Sequence, residues 1–359
     1  MDELVKAVSS FRGKRVLVTG DTGFKGSWLA LWLAEVGADV YGYALPPQRE
    51  RDHFNLLGMR ERIHHQDGDI RDLNSMAAFF EKAQPEVVFH LAAQALVRPS
   101  YDDPKETFDT NIGGSVNLLE CVRETPSVKT LIYVTSDKCY RNKEWHRGYR
   151  ESDELGGHDP YSASKAAAEL VFSSYCDSFF NARENFACAS VRAGNVIGGG
   201  DWSDNRIIPD CVRALQSNEP ILLRNPTSTR PWQYVLEPLG GYLSLAAALG
   251  KDPKKYSGAW NFGPKLEASR TVMDLSEIFI KRWGSGKIQV QGLKNDPHEA
   301  GLLQLNCDKA HQVLGWKPCW DFERTVVETV DWYQAMLAGN TVSEVSAQQI
   351  KRYMEASHD

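Results

Sequence analysis

The chain has 359 residues, a formal net charge of −6, and 42% hydrophobic and 25% charged residues. That length suits one large domain or two fused ones, and a mildly acidic mixed composition gives no electrostatic footprint for nucleic acid or a membrane surface. No apolar run is long enough to span a bilayer, the N-terminus lacks a signal-peptide core, and seven scattered cysteines without a Cys-x-x-Cys pair suit free thiols in a reducing cytosol better than disulfides or a metal site.

Residues 1–14 read as a helical lead-in. Arg15-Val16-Leu17-Val18-Thr19 is an apolar, β-branched run, and Gly20-Asp21-Thr22-Gly23-Phe24-Lys25-Gly26 follows at once. Leu29, Trp32, Leu33 and Val36 then recur at the spacing of one helix face, with Gly37 where a cap belongs. The pattern predicts a buried strand, a tight glycine turn and an amphipathic helix. Gly20, Gly23 and Gly26 let the backbone turn sharply, approach a ligand and pack the helix on a sheet. The N–H groups opening that helix would face an anion, here a dinucleotide pyrophosphate.

Asp39–Ala44 reads as the second strand. Sites that bind NAD often carry an acid at this strand's end, where it grips the ribose hydroxyls. Here Ala44-Leu45-Pro46-Pro47 occupies the place, with Arg49 and Arg51 beyond and Lys25 inside the turn, so NAD and NADP both stay open. The next strand end carries Asp69 and Ile70, placed to meet an adenine. The helix Leu73–Ala83 should bury Met76, Ala77 and Phe80. Val87–Leu91 gives a fourth strand running into Ala92, Ala93 and Gln94, whose small side chains let backbone lie against a cofactor. A long helix around 105–124 holds Asn111, and Lys129–Thr135 is a further strand.

Strands alternating with helices predict an α/β fold with a doubly wound parallel sheet and ligands at the carboxyl ends of its strands. After Phe186–Arg192 the alternation breaks. A loop-rich stretch runs to about 233, followed by a helix near 237–249, a strand at 259–262 and helices near 271–283 and 322–338. The expected organisation is a dinucleotide-binding domain over 1–192, a smaller mixed domain mainly over 193–339 for the substrate, and a polar tail, 340–359, loosely held as a helix.

The chemistry concentrates in two places. Tyr161 and Lys165 lie four apart on one helix face, where an ammonium beside a phenol favours its ionised form. Such a pair can remove a hydroxyl proton while hydride leaves the same carbon. The strand ending in Thr135 delivers Ser136, Asp137 and Lys138, a hydroxyl for the substrate oxygen and two ionisable groups suited to acid–base work. A surface Tyr-x-x-x-Lys and a solvated turn are the plain readings of each alone; their combination favours a site.

The glycine motif, Leu91-Ala92-Ala93-Gln94, Asn111, the Ser136 segment, Tyr161-x-x-x-Lys165, Gly194-Asn195-Val196 and Arg230-Pro231-Trp232-Gln233-Tyr234-Val235 together resemble the extended short-chain dehydrogenase/reductases over nearly the whole chain. Within them the resemblance is to the nucleotide-sugar 4,6-dehydratases, and Gly-Phe-Lys-Gly-Ser-Trp with Thr-Ser-Asp-Lys-Cys-Tyr points to the branch acting on CDP-glucose. The dTDP-glucose branch carries Thr-Asp-Glu where this chain has Ser136-Asp137-Lys138, which leaves the base of the elimination open: Lys138 once neutral, or another group with Lys138 polarising the ketone.

The resemblance implies a Rossmann fold, NAD as cofactor and CDP-glucose as substrate. It implies a hydro-lyase that oxidises C4, eliminates water across C5–C6 and returns the hydride to C6. Catalysis falls to Ser136, Asp137, Lys138, Tyr161 and Lys165. Cofactor contacts fall to Gly20, Gly23, Phe24, Lys25, Gly26, Asp69, Ile70, Leu91, Ala92, Ala93, Asn111, Thr135, Tyr161 and Lys165. The sugar nucleotide falls to Ser136, Asn195, Arg206, Arg230, Asn261 and Glu299, and no metal is implied. Val116, Leu119, Leu170 and Val171 are candidates for a homodimer interface. A nucleotide-sugar 4-epimerase shares the tyrosine, lysine and cofactor but has no need of Asp137; a non-catalytic dinucleotide sensor needs neither Tyr161 nor Lys165.

Overall fold

The computed structural model describes residues 3–265, 270–291 and 302–357. Seven strands form one sheet: β1 (Arg15–Thr19), β2 (Asp39–Ala44), β3 (His64–Asp67), β4 (Val87–His90), β5 (Thr130–Val134), β6 (Ala187–Ala193) and β7 (Gly258–Phe262). Their spatial order is β7-β6-β5-β4-β1-β2-β3, and every pairing is parallel. Strands this apolar, with β4 and β5 buried at every residue, need cover on both faces. Two apolar clusters supply it, one on each side of the sheet. The order reverses between β1 and β4, and that crevice is where a doubly wound sheet binds ligands. The chain after 193 does not stay apart from this sheet, because β7 pairs with β6 in register from Gly258↔Ala189 to Phe262↔Ala193.

Helix α1 (Glu3–Ser9) leads in, and α2 (Phe24–Glu35) follows the glycine turn. Sequence periodicity gives α2 one apolar face, yet Trp28 through Leu33 are all fully buried. The reason lies at the other end of the chain. Helices α6 (Leu236–Leu249), α7 (Phe322–Leu337) and α8 (Val342–Ala356) close over this side, and α8 lies directly on α2, where Tyr353 meets Trp32 edge-on at 5.8 Å. The polar tail is therefore a docked helix rather than a loosely held one. Its buried face uses polar groups: Gln349 hydrogen-bonds the Tyr234 hydroxyl and donates to the Glu328 carbonyl at 2.7 Å, and Tyr353 donates to Glu237 Oε2 at 2.8 Å.

On the opposite side, α3 (Leu73–Ala83) buries Met76, Phe79, Phe80 and Ala83, while Ala77 faces outward. The long helix expected around 105–124 is interrupted. A wide π-helical turn at Asp109–Gly113 precedes α4 (Gly114–Glu124) and turns Asn111 inward. Helix α5 (Pro160–Tyr175) starts at Asp159, whose side chain accepts from the Ser162 N–H, with proline in the first turn where its missing donor costs nothing.

The Gly198-Gly199-Gly200 stretch passes between aromatic side chains, and a Cβ at Gly199 would lie 2.0 Å from Trp332 Cγ. Gly199→Ala is accordingly expected to lower unfolding stability by about 3 kcal/mol through overpacking, read as a lower midpoint in urea denaturation.

Candidate active site

The glycine turn is shaped by close approach. Gly20 has φ +76°, and a side chain there would lie 2.7 Å from the Ala92 nitrogen; one at Gly26 would lie 2.0 Å from the Gly20 carbonyl. These two glycines bring β1, the Leu91-Ala92-Ala93 end of β4 and α2 together. Gly23 is different. Its Cβ would meet only the Gly20 carbonyl, at 3.3 Å, and α2 begins there without a side-chain cap. The first N–H groups of α2 thus face outward toward an open approach, which fits the pyrophosphate of a dinucleotide.

At the end of β5, the Ser136 hydroxyl donates to Asp137 Oδ1 at 2.8 Å, and both residues are buried. Across from them, α5 presents Tyr161 and Lys165, also buried. The Tyr161 hydroxyl faces the Ser136 hydroxyl, which favours the ionised phenol. Burial pushes this phenol up to about 12; Ser136 and the positive charge of Arg206 work the other way without overcoming it. This departs from the expected lowering by lysine. The Lys165 ammonium lies over the Tyr161 ring, 6.0 Å from its centroid, and does not bond the phenol oxygen. Burial also pushes Lys165 down to about 8, helped by the like charge of Lys25. Lys25 itself is pushed down to about 8 by burial and by Arg206, with Asp137 opposing. Three cations therefore adjoin in the site: Lys25 feels both Lys165 and Arg206, and of the three it is Lys25 that Asp137 offsets.

Other expected site residues serve as supports. Asn111 accepts from the Gln94 N–H at 2.8 Å and donates to the Gln94 carbonyl at 3.0 Å and to Ser164 Oγ at 2.8 Å. It pins the end of β4 to the catalytic helix. The Thr135 hydroxyl is committed to Glu169. Asp69 is committed to Arg71, at 2.6 Å to the guanidinium, and Ile70 packs where a Cβ on Gly114 would fall, at 2.5 Å. Asn261 is fully buried: it accepts from Tyr140 at 2.8 Å and donates to the Tyr149 and Asn306 carbonyls at 2.9 and 3.1 Å. No hydrogen of its amide is left for a substrate.

Lys138 and Asn195 are half-buried, and the Asn195 carbonyl holds the Gln233 N–H at 3.0 Å. Arg206 pairs with buried Asp201 at 3.0 Å, and Arg230 donates to the Thr229 carbonyl at 2.9 Å. Glu299 lies outside the described residues. Near Ala44, Arg49 pairs with Asp204 at 2.8 Å and Arg51 stacks on Trp202 at 5.8 Å, so both are engaged with the 202–204 segment. The register partner of Ala44 on β3 is an acid, Asp67.

Sequence reasoning passed over Glu169. It continues the Tyr161, Lys165 face by one more helical turn, and that spacing was the available signal. Its carboxylate meets Arg192 of β6 at 2.9 Å and Ser190 Oγ at 2.8 Å, all buried. Burial disfavours its charge, but Arg192, Thr135 and Ser190 outweigh that and hold the carboxyl below its ordinary range.

A family described as GDP-mannose 4,6 dehydratase matches residues 17–329. The chain belongs to that family. It is 46% identical over 351 residues to CDP-glucose 4,6-dehydratase of Salmonella typhimurium, covering 97% of this chain and 98% of that one. Among solved structures, epimerase Mth375 of Methanothermobacter thermautotrophicus superposes with a TM-score of 0.79 at 22% identity, covering 93% of this chain and 96% of that one. A UDP-glucose 4-epimerase of Thermus thermophilus, in complex with NAD, superposes with a TM-score of 0.73 at 25% identity over 89% of this chain and 98% of that one.

With Lys25 and Lys165 assigned to the dinucleotide's diphosphate, anion affinity is expected to depend on pH. Lys25 and Lys165, each at about 8 before binding, are raised when a diphosphate arrives. Below about pH 8 both are already protonated and NAD affinity is flat. Above it, binding must take up protons, so the Kd for NAD should climb by up to about tenfold per pH unit for each lysine. Calorimetric titration between pH 7 and 9.5 reads the slope, and a flat profile refutes the assignment of these lysines to the anion.

Proposed function

We propose that the protein converts CDP-glucose to CDP-4-keto-6-deoxyglucose, using NAD with no net redox change. The observation that carries this reading is the 46% identity, over nearly the full length of both chains, to a CDP-glucose 4,6-dehydratase. The NAD complex of a structural neighbour and the uncapped glycine turn support the cofactor. Arg49 and Arg51, engaged with the 202–204 segment, leave Lys25 alone of the three cations that sequence offered the 2′-phosphate of NADP.

Bound NAD supplies reversible hydride storage. The remaining work belongs to the side chains. A sugar 4-hydroxyl at Ser136 can pass its proton to the Tyr161 oxygen as the tyrosine's own proton moves to Ser136 and the serine's to Asp137, along the bond it already makes. Each hydroxyl gives one proton and takes one. No standing phenolate is required, so a phenol raised to about 12 is no obstacle. Asp137 ends protonated, the form needed to give a proton to the departing 6-hydroxyl. Lys138 follows it directly, placed either to take the C5 proton or to polarise the 4-ketone while another group takes it. Arg206 and Arg230 suit the diphosphate of the sugar nucleotide, since a guanidinium binds two oxygens at once.

Incubation with CDP-glucose and NAD should yield the 4-keto sugar, seen by its absorbance in alkali. CDP-galactose as the product would indicate a 4-epimerase, and binding without turnover a sensor. Tyr161→Phe removes one hydroxyl, so the variant should fold and bind both ligands yet lose C4 oxidation by about a thousandfold or more, the scale of a lost acid–base group. Turnover near that of the parent would overturn the tyrosine's role.

The same reading includes a homodimer in a reducing, cytoplasmic setting. Leu170 on α5 is 62% exposed and Phe179 beyond it 47%, an apolar face that invites a partner. Leu119, also considered for that face, instead packs in the core. Equilibrium sedimentation should give a dimer for the parent at micromolar concentration and a monomer for Leu170→Glu.

A further inference from the structure

Five residues from three distant parts of the chain form a buried hydrogen-bonded line that ends in the first turn of α2. The Trp332 indole of α7 donates to Ser346 Oγ of α8 at 2.9 Å. Ser346 meets His53 Nε2 at 3.2 Å, His53 Nδ1 meets Ser27 Oγ at 2.9 Å, and the Ser27 hydroxyl donates to the Phe24 carbonyl at 3.0 Å. The chemistry of the ends and the charge state of His53 fix the direction throughout. A carbonyl can only accept, so Ser27 commits its proton to Phe24 and takes the Nδ1 proton of His53. The buried imidazole is neutral, so its Nε2 accepts from Ser346, which in turn accepts from the indole. The line therefore holds one neutral tautomer of His53. Burial secures the neutral form, pushing that imidazole down to about 3.

His53 is 1% exposed and Ser27, Ser346 and Trp332 are fully buried, so water cannot substitute for a missing partner. The histidine ring is also enclosed, with Trp28 at 4.8 Å on one side and Trp332 at 5.5 Å on the other. None of these groups reaches the reacting atoms. What the line touches is the backbone at Phe24, one residue after Gly23, where α2 opens without a side-chain cap. The Ser27 N–H binds the Gly23 carbonyl at 2.9 Å, so both the hydroxyl and the amide of Ser27 bear on this turn.

We infer that the C-terminal helix is a positioning element for the dinucleotide, acting through Ser346, His53 and Ser27 to hold the glycine turn in its binding shape. The inference rests on the dinucleotide reading of that turn. Its consequence is that α8, at the far end of the chain from the turn, sets cofactor affinity without touching either ligand.

The test is calorimetric titration of the full-length protein with NAD, which needs no turnover. Ser346→Ala removes one hydroxyl and should raise the Kd for NAD about fivefold or more. At saturating NAD, kcat and the KM for CDP-glucose should stay at parental values, a split that a merely structural role would not produce. Ser346→Thr keeps the hydroxyl and should restore affinity. Ser27→Ala breaks the other end of the line, and the double variant should add little to either single one. A Kd within twofold of the parent in Ser346→Ala, or independent and multiplying effects of the two substitutions, overturns the inference. Should Ser346→Ala fail to fold, Ser27→Ala carries the same expectation and the same refutation. A parent that binds NAD but leaves CDP-glucose unchanged defeats the proposed reaction and not this inference; a parent that does not bind NAD defeats both.

Discussion

The carboxylate of Glu169 is the constraint on which the geometry of the candidate site depends. It sits on α5 one turn beyond Lys165, and it is bonded at once to Arg192 of β6, to Ser190 of the same strand and to Thr135 at the end of β5. Arg192 in turn donates to the Tyr140 hydroxyl at 2.7 Å, and Tyr140 donates to Asn261 of β7. One buried ion pair thus ties the helix bearing Tyr161 and Lys165 to three adjacent strands. Thr135 immediately precedes Ser136 and Asp137, so the same carboxylate sets the height of the strand end against the helix. A buried pair is a weak source of stability, because desolvation offsets most of the attraction. Its value here is registry. Breaking it would leave a buried charge, and an apolar replacement would remove the directional bonds that align two elements within hydrogen-bonding reach.

On the other face of the sheet the constraint is steric. Trp28 of α2, His53, and Trp332 and Tyr333 of α7 fill the space beside the glycine stretch at 198–200, where side chains cannot fit. This explains why α2 is buried all round. A helix of a doubly wound sheet normally keeps one face in water, and its sequence shows it. Here the final two helices of the chain close over that face.

The strands, the glycine turn and the Tyr161, Lys165 pair on one helix face were legible in the sequence because each is a local signal. β-Branched runs, three glycines in seven residues and Tyr161-x-x-x-Lys165 need no knowledge of distant contacts. What escaped was set by partners far along the chain. Periodicity placed Ala77 inside and passed over Phe79, whereas the packing of α3 buries the phenylalanine and leaves the alanine out. The tail looked too polar to dock, and what sequence does not show is that its Ser346 and Gln349 have buried partners in Trp332 and Glu328. Asn261 read as a substrate ligand by motif, and three internal hydrogen bonds assign it to holding Tyr140 instead. The lysine beside Tyr161 suggested a lowered phenol; burial, invisible in a sequence, decides the sign.

Burial also accounts for the charge arrangement at the site. The chain as a whole carries a net −6, yet Lys25 sits buried between two further cations, Lys165 and Arg206, with Asp137 beside it. Like charges brought together out of water destabilise the fold that holds them, and lowering the pKa of both lysines is how that cost appears. Such a cluster makes physical sense where anions complete it. On the proposed reading two diphosphates do so, one from the dinucleotide and one from the sugar nucleotide, and each relieves repulsion among cations placed by three separate elements. The third cation shows the same logic from the other side. Arg206 is the one held by its own carboxylate, Asp201, and it favours the ionised form of Tyr161 from there. The lysines, without such a partner among the described residues, are the ones left to respond to ligand and to pH.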